Sequence, residues 1–157
     1  MFNPWASPPR FYGFTRKACP VLLGLGCTLL LFGLYLGLFR APVDAQQGEV
    51  YRVLYVHVPA AWMSMFLYLV ACAYAVLHWV YRGSVSAVMM RALLPTGAWM
   101  TALALITGAL WGKPTWGTYW VWDARLTSML ILLFLYLGYI ALTSAIEDPR
   151  RSDRAGA

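Results

Sequence analysis

ACPVLLGLGCTLLLFGLYLGLF, residues 18–39, runs for twenty-two positions without a charged side chain. A helix of about 20 residues crosses the hydrocarbon core of a bilayer. The run is continuously apolar and does not alternate with period two, so it reads as a spanning helix and not as a barrel strand. Three more runs match it, near residues 58–81, 92–111 and 126–146. The sequence therefore predicts an all-α, polytopic membrane bundle with four spans in a single membrane domain, residues 1–157.

Composition agrees. Hydrophobic residues make up 61% of the chain and charged residues 11%, against about 25% charged in a soluble domain. Mean hydropathy is +0.62. The net charge of +6 would raise nucleic acid as a partner of a soluble protein. Here the cations sit in short segments between apolar runs, which is the pattern of topology signals in membrane lipid. Arg16 and Lys17 give the first run a basic flank, and Val43-Asp44-Ala45 loosely resembles a cleavage site. The run nevertheless exceeds the roughly 7–15 apolar residues of a signal peptide and reads as a retained span.

Orientation follows from the loops. Arg10, Arg16, Lys17, Arg82, Arg91, Arg150, Arg151 and Arg154 fall on one side, and Arg40, Arg52, Lys113 and Arg125 on the other. The richer side is expected to be cytoplasmic. Both termini then lie inside, and the segments 40–57 and 111–125 face outward. Gly33-x-x-x-Gly37, and Gly97, Thr101, Ala104 and Gly108 in the third span, have the spacing that lets helix backbones approach closely. Cys19, Cys27 and Cys72 form no C-x-x-C pair and read as small residues buried in helices. The tail 147–157 is polar and reads as loose.

The outer segment WGKPTWGTYWVWD, residues 111–123, carries four of the eight tryptophans. Gly112, Pro114 and Gly117 are expected to break regular structure and fold the backbone tightly between the rings. An interfacial aromatic belt accounts for one or two tryptophans. Trp111, Trp116, Trp120 and Trp122, with Tyr119, exceed that need and suit a platform for a large flat ligand. Burying such a ligand is favourable by roughly 25 cal/mol per Å². Lys113, Arg125 or Arg52 would serve anionic groups on it, and equally suit ordinary loop charges. Asp123 precedes the fourth span and reads first as its N-cap.

Only two histidines exist. His78, at the inner end of the second span, reads as a packed polar residue. His57 precedes Val58-Pro59, where proline pushes its predecessor out of the helix. It should therefore lie just ahead of the second span, on the same face as the tryptophans. Neutral imidazole is an axial ligand of haem iron.

Trp111-Gly112-x-x-x-Trp116-Gly117-x-Tyr119-Trp120-x-Trp122-Asp123 resembles the tryptophan-rich "WWD" signature of haem-handling membrane proteins in cytochrome c maturation. Ala124-Arg125-Leu126-Thr127-Ser128 follows it, similar to the CcmC branch, where the cytochrome c synthetase branch has Pro-x-Glu. His57-Val58-Pro59-Ala60-Ala61-Trp62-Met63-Ser64 also resembles CcmC. The resemblance covers the chain from the first span onward. It implies non-covalent haem b at the periplasmic face of the bacterial inner membrane, with His57 as an axial ligand. It implies a loop of Trp111, Gly112, Trp116, Gly117, Tyr119, Trp120, Trp122, Asp123 and Arg125 around the haem. It further implies delivery to the haem chaperone CcmE, in a complex with the ABC-type CcmA/CcmB pair and the small membrane protein CcmD. The family has six spans and a second axial histidine between spans five and six. The present sequence stops after the fourth span without that histidine, and so reads as a fragment, a truncated gene product or one part of a split protein.

No paired carboxylates, nucleophile with base, or phosphate-binding glycine loop occurs, so a delivery component is expected in place of an enzyme. Two alternatives remain open. One is a haem lyase-type cytochrome c synthetase component. The other is a structural subunit that docks a partner through its tryptophan loop.

Overall fold

The computed structural model describes residues 7–157. Among the described residues the protein is helical, with no strand beyond an isolated bridge between Asp44 and Gly48. Helix α1 (Pro8–Tyr35) ends in a π turn, Leu36–Arg40, and a 3₁₀ turn, Glu49–Val53, leads into α2 (Leu54–Tyr81). Helices α3 (Ser84–Trp116), α4 (Ala124–Ser144) and α5 (Pro149–Gly156) follow. The first four are long and apolar enough to cross a membrane.

The helices overrun the apolar windows, and this corrects three expectations. His57 and Val58 are helical, because α2 begins at Leu54. Pro59 withholds one N–H near the start of the helix, and a membrane helix tolerates that loss where neighbouring groups meet the freed carbonyl. Gly112 and Pro114 do not break α3, which continues to Trp116 and stops at Gly117. Gly117 takes φ +81°, and its N–H bonds to the Lys113 carbonyl at 3.0 Å, the left-handed stop that glycine makes without strain. The tail is not loose. Asp148 caps α5 by accepting from the Arg151 N–H at 2.8 Å. Ser152 Oγ donates to the Thr143 carbonyl at 3.0 Å, and Arg91 pairs with Asp153 at 2.9 Å.

Helices α2 and α3 form an antiparallel hairpin. Arg82 turns it at φ 55°, and the His78 Nδ1–H donates to the Gly83 carbonyl at 3.0 Å. The core is Ala71 of α2, Met90, Leu94 and Ala98 of α3, and Tyr136 of α4. Lipid is as apolar as these side chains, so close contact and internal hydrogen bonds hold the helices together. Tyr136 supplies both. Its ring lies where a Cβ on Gly97 would stand, and its hydroxyl donates to the Ser64 carbonyl at 2.7 Å. Its edge meets the Tyr68 ring at 5.6 Å. The small-residue stripe of α3 is therefore an interface: Gly97, Thr101 and Ala104 are buried.

Helix α1 is different, because none of its described residues is buried. Gly33 faces open space, while a Cβ on Gly37 would stand 2.7 Å from the Tyr55 ring. Only the second half of the Gly33/Gly37 pair therefore makes a close approach. There the Arg52 guanidinium donates to the Leu38 carbonyl at 2.6 Å, closing the π turn, and also pairs with Glu49. The three cysteines are exposed on the outward faces of α1 and α2, not buried against other helices as expected.

Candidate functional site

A cavity of about 250 Å³ opens between the outer halves of α2 and α3, the start of α4 and the loop joining α3 to α4. Helix α2 contributes His57, Ala61 and Met65. Helix α3 contributes Ala104, Gly108, Trp111, Gly112 and Trp116. Tyr119 and Trp120 come from the loop, and Arg125, Leu126 and Met129 from α4. Ligand pockets commonly run from about 300 to 1,000 Å³. A large planar ligand would fill this cavity and extend past its open side, where Trp116 and Tyr119 are exposed.

The imidazole of His57 is fixed by α3. Its Nδ1 lies 3.0 Å from the Ala104 carbonyl and 3.1 Å from Thr107 Oγ1. A carbonyl only accepts, so the partners assign the proton to Nδ1. Thr107 Oγ1 sends its own hydrogen to the Leu103 carbonyl at 2.7 Å, which leaves it an acceptor for His57 as well. Nε2 therefore carries the bare lone pair that binds a metal, in the arrangement that orients ligating histidines. The ring rests on Gly108, where a Cβ would stand 3.0 Å from Cε1.

The aromatic wall is a chain of ring contacts. Trp111 lies 5.9 Å from His57 and 5.1 Å from Trp116, centroid to centroid. Trp120 and Trp122 meet edge to face at 5.4 Å. Gly112 lets this fold close: a Cβ there would stand 3.1 Å from the Thr118 carbonyl. The Arg125 guanidinium lies 5.2 Å over the Trp116 ring, a cation–π contact that places a charge on the cavity wall.

Of the residues singled out in the sequence, His57, Trp111, Gly112, Trp116, Tyr119, Trp120 and Arg125 line the cavity. Gly117 ends α3 behind it, and Trp122 backs Trp120 with its own ring exposed. Lys113 lies over Tyr119 at 5.3 Å and donates to the Gly117 carbonyl. Arg52 is committed to Glu49 and the end of α1. The Ala104 carbonyl was missed because a backbone acceptor leaves no mark in a sequence, and Thr107 because helix register, not residue type, brings its hydroxyl to His57.

Asp123 caps α4, accepting from the Leu126 N–H at 2.7 Å, and pairs with Arg125 at 3.1 Å. The Leu126 N–H, and after it the Arg125 guanidinium, hold its carboxyl below the ordinary carboxylate value. The folded pKa is thus lower than the unfolded one. The cap is fully effective above about pH 4 and is lost as pH falls through the folded value. The protection of the Leu126 amide against exchange should fall in that acid window, and Asp123→Asn should flatten the pH dependence of that protection. An unchanged profile in the variant would remove Asp123 as the cause.

The family model "Heme exporter protein C" matches residues 1–157. The chain is 47% identical over 152 residues to the Heme exporter protein C of Bradyrhizobium diazoefficiens, covering 97% of this chain and 57% of that protein. With the protein of the same name from Escherichia coli K12 the identity is 46% over 150 residues, covering 96% of this chain and 61% of that protein. A ccmC-like mitochondrial protein of Marchantia polymorpha, named for cytochrome c biosynthesis, is 44% identical over 148 residues, 94% of this chain and 65% of its own. The chain thus spans about three-fifths of the length of these relatives.

Proposed function

The chain belongs to the Heme exporter protein C family, and on that premise we propose that its outer cavity holds haem b non-covalently for transfer to a partner. The observation that carries this reading is the His57 imidazole. Its Nδ1 is occupied by the Ala104 carbonyl at 3.0 Å, and its ring stands in the wall of an aromatic cavity. The donor set suits haem. Nε2 of His57 would ligate the iron, Trp111, Trp116 and Trp120 would pack on the macrocycle, and Arg125 would pair with a propionate.

Haem is cargo here, and the chain's task is to bind, orient and release it. The four spans sit in a bacterial inner membrane with both termini cytoplasmic and the cavity at the periplasmic face. The receiver is a CcmE-like haem chaperone, and CcmA/CcmB and CcmD-like subunits complete the assembly. The exposed rings of Trp116, Tyr119 and Trp122 leave the open side of the cavity accessible to such a receiver.

Titration of the detergent-solubilised chain with haemin tests the reading. A saturable Soret band is expected for the wild type. Trp116→Ala/Trp120→Ala should weaken binding by about tenfold or more, since each ring removes apolar contact area worth more than 1 kcal/mol. Equal titrations for wild type and the double variant would refute the aromatic platform.

A further inference from the structure

Trp111 touches both His57 and Trp116, and its own orientation is set from outside the cavity. Its indole Nε1–H donates to Gln47 Oε1 at 2.9 Å. Gln47 belongs to the segment between α1 and α2 and does not line the cavity. Local hydrogen bonds fold that segment. Asp44 Oδ1 accepts from the N–H groups of Gln46 at 2.9 Å and Gln47 at 2.7 Å, and the Asp44 carbonyl accepts from Gly48 at 3.0 Å. Gly48 takes φ +61°, which only glycine adopts readily. The tight turn holds the Gln47 side chain over the end of α3.

We infer that Gln47 is a positioning residue: through one hydrogen bond it sets the indole plane of Trp111, and thereby the aromatic face presented beside His57. The segment between α1 and α2 then controls how tightly the cavity grips its ligand. Any partner that draws this segment outward turns Trp111 and loosens the grip. This inference rests on the proposed haem reading for its ligand, while the contact itself is independent of it.

The experiment follows the indole N–H resonance of Trp111 in the ligand-free chain, assigned with Trp111→Phe, beside haemin titrations of the same samples. Gln47→Leu removes the acceptor at similar size, and Gln47→Glu retains one. In Gln47→Leu the resonance should move upfield and exchange faster with water, the Soret maximum should shift, and haemin affinity should fall roughly two- to tenfold. Gln47→Glu should restore all three towards wild type. An unmoved resonance in Gln47→Leu, or a moved one with unchanged affinity and Soret position, overturns the inference. Failure of the wild type to bind haemin defeats the haem reading and the inference with it. Wild-type binding that Gln47→Leu leaves untouched defeats the inference alone.

Discussion

His57→Ala is expected to abolish the axial imidazole signature of bound haemin and to weaken binding at least as much as the roughly 10–100-fold that loss of an outer-shell partner costs a metal site. No second histidine lines the cavity. His78, the only other histidine, lies twenty-one residues further along α2, about 30 Å away at 1.5 Å per residue. The proper companion is Thr107→Val. It leaves the ligand in place and removes one of the two acceptors on Nδ1. Its Soret band should keep the imidazole form at reduced affinity, while His57→Ala should lose that form altogether. If both variants bind haemin with the wild-type spectrum, His57 is not a ligand and the cavity serves another purpose.

The largest effect on stability is expected from Gly97→Leu. The Tyr136 ring already occupies the position of a Cβ at residue 97, and ring and backbone cannot both remain. Overpacking of this kind costs about 1–3 kcal/mol, occasionally more. Helix α4 must also withdraw from α3, which breaks the bond from Tyr136 to the Ser64 carbonyl. Tyr136→Phe removes that bond alone and should cost about 0.6–1.7 kcal/mol. Unfolding in mixed detergent micelles should rank the wild type above Tyr136→Phe and Tyr136→Phe above Gly97→Leu. Because Arg125, Leu126 and Met129 of α4 line the cavity, Gly97→Leu should weaken haemin binding too, although residue 97 does not line it. A Gly97→Leu protein as stable as wild type would show that α4 does not depend on this contact.

Much of the fold was legible because a bilayer imposes length and apolarity on every span, and both are written in the sequence. The small-residue stripe Gly97, Thr101, Ala104 and Gly108 was legible for the same reason, since close packing is what holds helices together in lipid. Helix ends were not. Gly112 and Pro114 read as breakers from local preference, yet α3 runs through both, because one missing N–H costs little beside the packing of the whole helix. The tail was misread although Asp148-Pro149 is a local helix-start signal, and the partners that dock it, Arg91 on α3 and Thr143 on α4, are distant ones that no local pattern announces. At the cavity, the aromatic residues and His57 drew notice by composition. Gln47, Thr107 and the Ala104 carbonyl did not, since their parts depend on helix register and not on residue type.

The imidazole of His57 is carried by one helix and held by another. A slip of α2 against α3 by one helical turn, about 5.4 Å along the axis, would stretch the 3.0 Å bond to the Ala104 carbonyl beyond useful length. Nδ1 and Nε2 would then compete for the proton, and the ring would be free to turn. The bare lone pair on Nε2 is thus a property of the mated pair of helices, and α2 alone does not possess it. Occupancy by a metal-bearing ligand would then work as an internal gauge, registering whether two separately inserted spans have come to rest in their proper alignment.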